Sequence, residues 1–281
     1  MPFTVDINDA KAQFPAYTFI KPLTPSAQKA AFHVRDASGR DLCLKIISPS
    51  YGSERLHREI TAMQQISHVN VVRLLEYTFS STPGSLKHFL VEDFVEGDDL
   101  EAQLGSPWNR PRVSKVFSQL MDGLEQLNQR SIVHRDLKPT NIRLRADDTP
   151  VIIDFGLSRH LQLSDLTATA EGAQIGTPLY FAPEQFDGTK HHIDHRTDLF
   201  AAGIILYQAL VGRHPFYAAG MSRADLHARV CGNDDFSRDP DFVRQPRTWQ
   251  LLVKKMLEKE RARRVNSASQ VAAILRKVEA D

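Results

Sequence analysis

Along Leu42-Cys43-Leu44-Lys45-Ile46-Ile47 apolar and polar side chains alternate, the period of a half-buried strand. With AFHVR before it and an Asp-Ala-Ser-Gly-Arg turn between, this stretch predicts a pair of strands. Residues 54–67 predict a helix with Leu56, Ile60 and Met63 on one face. VVRLLEYTF and KHFLVEDF predict two more strands, separated by the turn-rich SSTPGS. After the polar EGDDL the period changes. Val113, Val116, Phe117, Leu120, Leu124 and Leu127 keep helical spacing, and DLFAAGIILYQALVG is apolar nearly all round, as a buried helix must be. WQLLVKKMLEKE and ASQVAAILRKVE predict amphipathic helices near the end. A strand-rich part followed by a helix-rich part implies two lobes with the site between them.

Composition narrows the class. The chain has 281 residues, 42% hydrophobic and 25% charged, which is ordinary for a soluble globular protein and ample for a buried core. Net charge is +1, from 35 basic and 34 acidic side chains, so no basic excess points to nucleic acid. No stretch reaches the roughly 18 apolar residues of a membrane span, and MPFTVDINDAKAQF lacks a signal-peptide pattern. Cys43 and Cys231, far apart, predict thiols in a reducing, cytoplasmic setting, acting as small hydrophobes.

Three segments carry the chemistry: IVHRDLKPTNIRL, VIIDFGLSR and GTPLYFAPEQ. Their order and spacing resemble the catalytic loop, magnesium loop and activation-segment end of eukaryotic-type serine/threonine protein kinases, in the manner of bacterial members. The resemblance runs from about Tyr17 to about Lys277. It implies that Asp136 orients the incoming hydroxyl or accepts its proton, and that Asn141 and Asp154 bind magnesium through oxygen. Lys45 would contact the α- and β-phosphates and pair with Glu59. Lys138 and Thr177 match the serine/threonine class, both beside the catalytic aspartate. Arg135 implies activation by phosphate on the segment holding Ser158, Ser164, Thr167 and Thr169, with Thr167 or Thr169 the expected autophosphorylation site. Asp198 would hold the catalytic-loop amides, and Glu184 would pair with Arg264.

The chain also departs from the pattern. The three glycine positions of the phosphate-covering loop fall on Thr24, Ser26 and Lys29. Without glycine the backbone cannot approach phosphate as closely. Lys29 either offers phosphate a point charge or stands in solvent. Alignment places Glu92 at the normally apolar or threonine gatekeeper position, Arg143 at the adenine floor and Cys43 at its roof. Arg143 should turn its guanidinium to an acid or to solvent, and Glu92 needs a partner, with Lys45 the candidate if Arg143 is out of reach, a pairing that would draw Lys45 from Glu59 and mark an inactive resting state. His191, His192 and His195 cluster, but in a loop without a metal-ligand pattern.

The resemblance implies an α+β, two-lobed protein-kinase-like fold. A small antiparallel β lobe with one helix would span 1–94 and bind ATP. A mainly helical lobe would span 95–281. The expected function is transfer of the γ-phosphoryl group of Mg²⁺-ATP to serine or threonine of a protein substrate, with no nucleic-acid or membrane partner. The rival is a pseudokinase scaffold, favoured by the missing glycines and opposed by Lys45, Glu59, Asp136, Asn141 and Asp154. A small-molecule kinase is a further rival, opposed by GTPLYFAPEQ.

Overall fold

The computed structural model describes residues 2–26, 29–48, 60, 62–78, 88–154, 178–186, 193–232 and 235–280. The chain divides into two compact units, Met1–Glu96 and Gly97–Asp281.

The first unit is built on a five-stranded antiparallel sheet of β1 (Thr18–Pro22), β2 (Lys29–Arg35), β3 (Asp41–Ile47), β4 (Leu74–Thr78) and β5 (Phe89–Asp93). Its spatial order is β1-β2-β3-β5-β4. Register sorts its side chains. Phe32 lies opposite Leu44 and Leu44 opposite Val91, so these share one face. Ala31, Lys45 and Leu90 form a rank on the other face, and His33, Cys43 and Glu92 form the next. The first face is apolar and packs against Ala10 and Phe14 of the amino-terminal segment, with Phe14 edge-on to Phe89 at 4.8 Å. The second face bears the polar groups.

The sequence predicted one helix in this part, and the structure adds another, α1 (Ile7–Gln13). Asp6 caps it by accepting from Asn8 N at 2.7 Å. Only Ala10 of this short helix is buried, so no apolar stripe announced it. The expected helix over 54–67 is described as helical at Ile60 and 62–64, and it stops short of Ser67. There Gln65 N and Ile66 N donate back three residues, to Ala62 O and Met63 O, the tightening that ends a helix. The strand expected from Val71 begins at Leu74.

The second unit opens at Gly97 with a φ of +120°, where a Cβ would lie 2.1 Å from Leu144 O. Only glycine permits that approach. A small antiparallel sheet follows in the order β6 (Asp98–Asp99), β7 (Ile142–Leu144), β8 (Pro150–Ile152). Around it lie α2 (Arg110–Asn128), the single turn α3 (Pro183–Phe186) and α4 (His195–Val211). Then come α5 (Arg223–Cys231), the short α6 (Pro240–Val243), α7 (Arg247–Met256) and α8 (Ala268–Ala280). Asn109 caps α2, accepting from Arg112 N at 2.9 Å, and α2 packs along α8, where Ser114 donates to Leu275 O.

α4 is the buried helix its composition predicted, with nearly every residue from Thr197 to Val211 covered. Asp194 caps its start, and Gly212, at φ +79°, ends it in the left-handed conformation. Gly203 lets α7 come close: a Cβ there would lie 2.8 Å from Met256 Cβ.

Candidate active site

The catalytic loop, 132–141, hangs from α4. Asp198, in the first turn of that helix, accepts from His134 N and Arg135 N, both at 2.8 Å. Burial, the larger influence, pushes its carboxyl up, against His134 and the two amide donors that favour the ionised form. His134 Nδ1 accepts from Asp136 N at 3.3 Å, which leaves Nε2–H to donate to Ile153 O at 3.1 Å. One imidazole thus ties the loop to the segment between β8 and Asp154. Arg135 and Asp154 both hold positive φ, 66° and 61°, a conformation that non-glycine residues keep only when their surroundings impose it.

Asp136 is the focus of these bonds. Its Oδ2 accepts from Lys138 Nζ at 2.7 Å and from Asn141 Nδ2 at 3.2 Å, while its backbone oxygen accepts from the same amide nitrogen at 2.7 Å. Asn141 N in turn bonds Lys138 O, and Asn141 O accepts from Ile153 N. With its nitrogen committed to Asp136, Asn141 presents the amide oxygen as its ligand atom. Asn141 and Asp154 therefore offer a donor set of oxygens, which fits a hard divalent cation.

Two residues of this region were given no role by the sequence. Gln185 donates from Nε2 to Arg135 O at 2.8 Å and accepts from Ala182 N at 3.0 Å, joining the segment after Pro178 to the catalytic loop. His214 accepts from Phe216 N and Tyr217 N on Nδ1, both at 3.0 Å, and donates from Nε2 to Leu179 O at 2.9 Å. Gln185 was visible as the end of a PEQ motif. His214, 35 residues from Leu179 in the chain, was not foreseeable from local pattern.

Beneath the loop, Glu184 and Arg264 form a buried bidentate pair with both N–O distances 2.6 Å. Thr197 Oγ1 donates to the same carboxylate at 2.8 Å.

In the first unit, Lys45 on β3 pairs with Glu92 on β5, and both are buried. Cys43 is buried opposite Glu92. Lys29 begins β2 opposite Ile47. In the glycine-free loop, Ser26 N, at a glycine position of the pattern, donates across the loop to Lys29 O at 2.9 Å. Ser26 O accepts from Phe3 N at 2.8 Å, so the amino-terminal segment braces the loop. Arg143 and Glu92 each take a partner within their own unit. The Arg143 guanidinium bonds Asp99, its cross-strand neighbour, at 2.8 Å, and also Gly97 O.

Glu59, Thr177, Thr167, Thr169, Ser158, Ser164, His191 and His192 lie outside the described residues, as does the tip of the loop at 27–28. His195 sits in α4 and bonds Asn266 O at 2.7 Å. Among the described residues no cluster of three or more histidine, cysteine or acidic side chains forms a metal site, and no helix is long and apolar enough to cross a membrane.

Comparison with known proteins meets this geometry. Residues 29–274 match the family model described as protein kinase domain. The chain is 39% identical over 173 residues to the serine/threonine-protein kinase Pkn1 of Myxococcus xanthus, covering 60% of this chain and 24% of that protein. It is 32% identical over 234 residues to pkn3 of the same organism, covering 80% of this chain and 42% of the relative. With PknB of Mycobacterium tuberculosis it shares 28% over 253 residues, covering 85% of this chain and 39% of that one. The chain thus spans well under half the length of these relatives. The family's two-lobed fold accounts for the antiparallel sheet of the first unit and the helices of the second. With a family model covering most of its length and a loop that gathers Asp136, Lys138 and Asn141, the chain belongs to the protein kinase domain family.

Proposed function

We propose that this chain is a serine/threonine kinase domain that transfers the γ-phosphoryl group of ATP to a hydroxyl of a protein substrate. The observation that carries the reading is the setting of Asp136, whose carboxylate is held by Lys138 and Asn141 on a loop pinned to Asp198. A carboxylate so placed orients a hydroxyl and takes its proton as the phosphorus–oxygen bond forms. Lys138, already 2.7 Å from Asp136, supplies positive charge beside the transferred group. Asn141 and Asp154 would hold Mg²⁺, which neutralises phosphate charge when bound. Lys45 is assigned the α- and β-phosphates, with Glu59 its expected helix partner. Thr177 is assigned to the substrate hydroxyl. Cys43 and Arg143 are assigned to the two faces of the adenine and Lys29 to the phosphate-covering loop. We assign the protein to the cytoplasm, a reading supported by two cysteines that form no disulfide.

The test is incubation of the purified chain with labelled ATP and magnesium, with phosphate located by mass spectrometry. Transfer to protein serine or threonine is expected, with autophosphorylation at Thr167 or Thr169. Asp136→Asn should lower transfer by about a hundredfold or more with the fold unchanged by circular dichroism. ATP binding without any transfer would favour the scaffold reading.

A further inference from the structure

The polar face of the first unit's sheet holds a pair, Lys45 and Glu92, of which the kinase reading uses only Lys45. Lys45 lies opposite Leu90, and Cys43 lies opposite Glu92. Lys45 and Glu92 are therefore diagonal neighbours on one face, within reach of long side chains. Their side chains are 5% and 4% exposed and form an ion pair. A single charge at that depth would be neutralised, whereas a paired one persists.

Among the described residues, the neighbours on this face leave the role to Glu92. Asp41, the other carboxylate of its ranks, is engaged by His33 at 2.8 Å and by Arg35 at 2.9 Å. Burial lowers His88 to about 4, so it adds no cation near neutral pH. Tyr77, opposite Leu90, is pushed up by burial and stays a neutral phenol. Cys43, with Lys29 at the start of β2 opposite Ile47, completes the titratable set described on this face of β2, β3 and β5. From the helix that supplies Ile60 and Met63, Glu59 is the expected contributor.

We propose that Glu92 is the positioning residue for Lys45: a carboxylate fixed in the sheet that keeps the lysine protonated and aimed at nucleotide phosphate. This rests on the kinase reading above. An ammonium has three donors, so one bond to Glu92 leaves two for other partners, phosphate oxygens among them. Both members sit on strands joined by backbone hydrogen bonds, so the anchor is set when the sheet forms. A helix carboxylate, by contrast, anchors the lysine only when its helix is docked. Glu92 thus gives Lys45 an anchor within the sheet beside the one that the family pattern assigns to the helix, and it makes the readiness of Lys45 in part a property of the sheet.

The experiment follows the Lys45 ε-carbon by ¹³C NMR against pH in the full chain, with Lys45→Ala to assign the signal, and measures KM and kcat for ATP in parallel. Glu92→Gln should move the Lys45 titration midpoint down by about one unit or more, a tenfold weaker hold on the proton, because the buried ammonium loses its counter-charge. KM for ATP should rise about tenfold. Glu92→Asp, which keeps the charge on a shorter arm, should retain the midpoint while still raising KM, and it serves if Glu92→Gln fails to melt cooperatively. An unmoved midpoint in Glu92→Gln, a wild-type KM in Glu92→Asp, tighter ATP binding in either variant, or a shift seen only in Glu59→Gln overturns the proposal. The NMR midpoint is read without catalysis, so absence of phosphate transfer in the wild type would defeat the kinase reading and leave the pairing separately measured.

Discussion

Arg264 uses every N–H donor it has: two bonds to Glu184 and one each to the backbone oxygens of Arg196, Glu258 and Lys259. Its guanidinium also lies 4.7 Å from the Phe200 ring centre. A buried charge so fully satisfied is costly to strand. Glu184→Ala should lower unfolding stability by about 3–5 kcal/mol in urea titration, because it leaves Arg264 buried without its counter-ion. Gln185, next in sequence, acts differently. Gln185→Ala removes both of its bonds and leaves a buried Ala182 amide without its partner, at a cost of about 1–3 kcal/mol. Arg135 keeps its positive φ only while its surroundings hold it, so this variant should also reduce kcat more than it raises KM for ATP. A uniform loss of stability with unchanged kcat would show that Gln185 serves folding alone.

At the scale of elements, the two faces of the first sheet have opposite needs. One requires a cover, and α1 with the segment around it supplies one through Ala10 and Phe14. The same segment braces the loop before β2 through the bond from Phe3 N to Ser26 O. Phe14→Ala should cost about 3–5 kcal/mol, the range for truncating a buried aromatic, and should weaken ATP binding as the braced loop loosens. Calorimetry and nucleotide titration on one preparation check both. In the second unit the tight contact is between α4 and α7. Gly203→Leu has no room against Met256 and should destabilise by about 1–3 kcal/mol or more, read as a lower Tm.

For the whole molecule the measurable consequence is acid sensitivity. Burial lowers His214 to about 4, opposed by its bond to Leu179 O, while an unfolded histidine titrates near 6.5. His88 is lowered to about 4 by burial too. Between those values the unfolded chain binds more protons than the folded one, so stability falls as pH falls from 6.5 to 4. The loss attributable to His214 is at most about 3 kcal/mol. Melting curves from pH 7.5 to 4.5 should show Tm falling steadily below pH 6.5. His214→Asn, whose side-chain oxygen can still accept from Phe216 N or Tyr217 N, should flatten that slope while starting from a lower Tm. An equal slope in the variant would exclude His214 as the source.

The sequence by itself determined the fold class and the chemical frame. Alternation along LCLKII and the all-apolar DLFAAGIILYQALVG are local periodicities, and local periodicity decides which faces are buried. HRDLKPTN carries Asp136, Lys138 and Asn141 within six positions, so their contacts follow from one short loop. The same was not true of α1, whose short pattern buries one residue and takes its meaning from the apolar sheet face it covers. Nor was it true of His214, whose carbonyl partner comes from a distant loop. Glu92 and Arg143 show the division most clearly. Their charge at normally apolar positions could be read from the alignment, and it required partners. Which partners they took, Lys45 diagonally across β3–β5 and Asp99 directly across β6–β7, was decided by strand register, which tertiary structure alone sets.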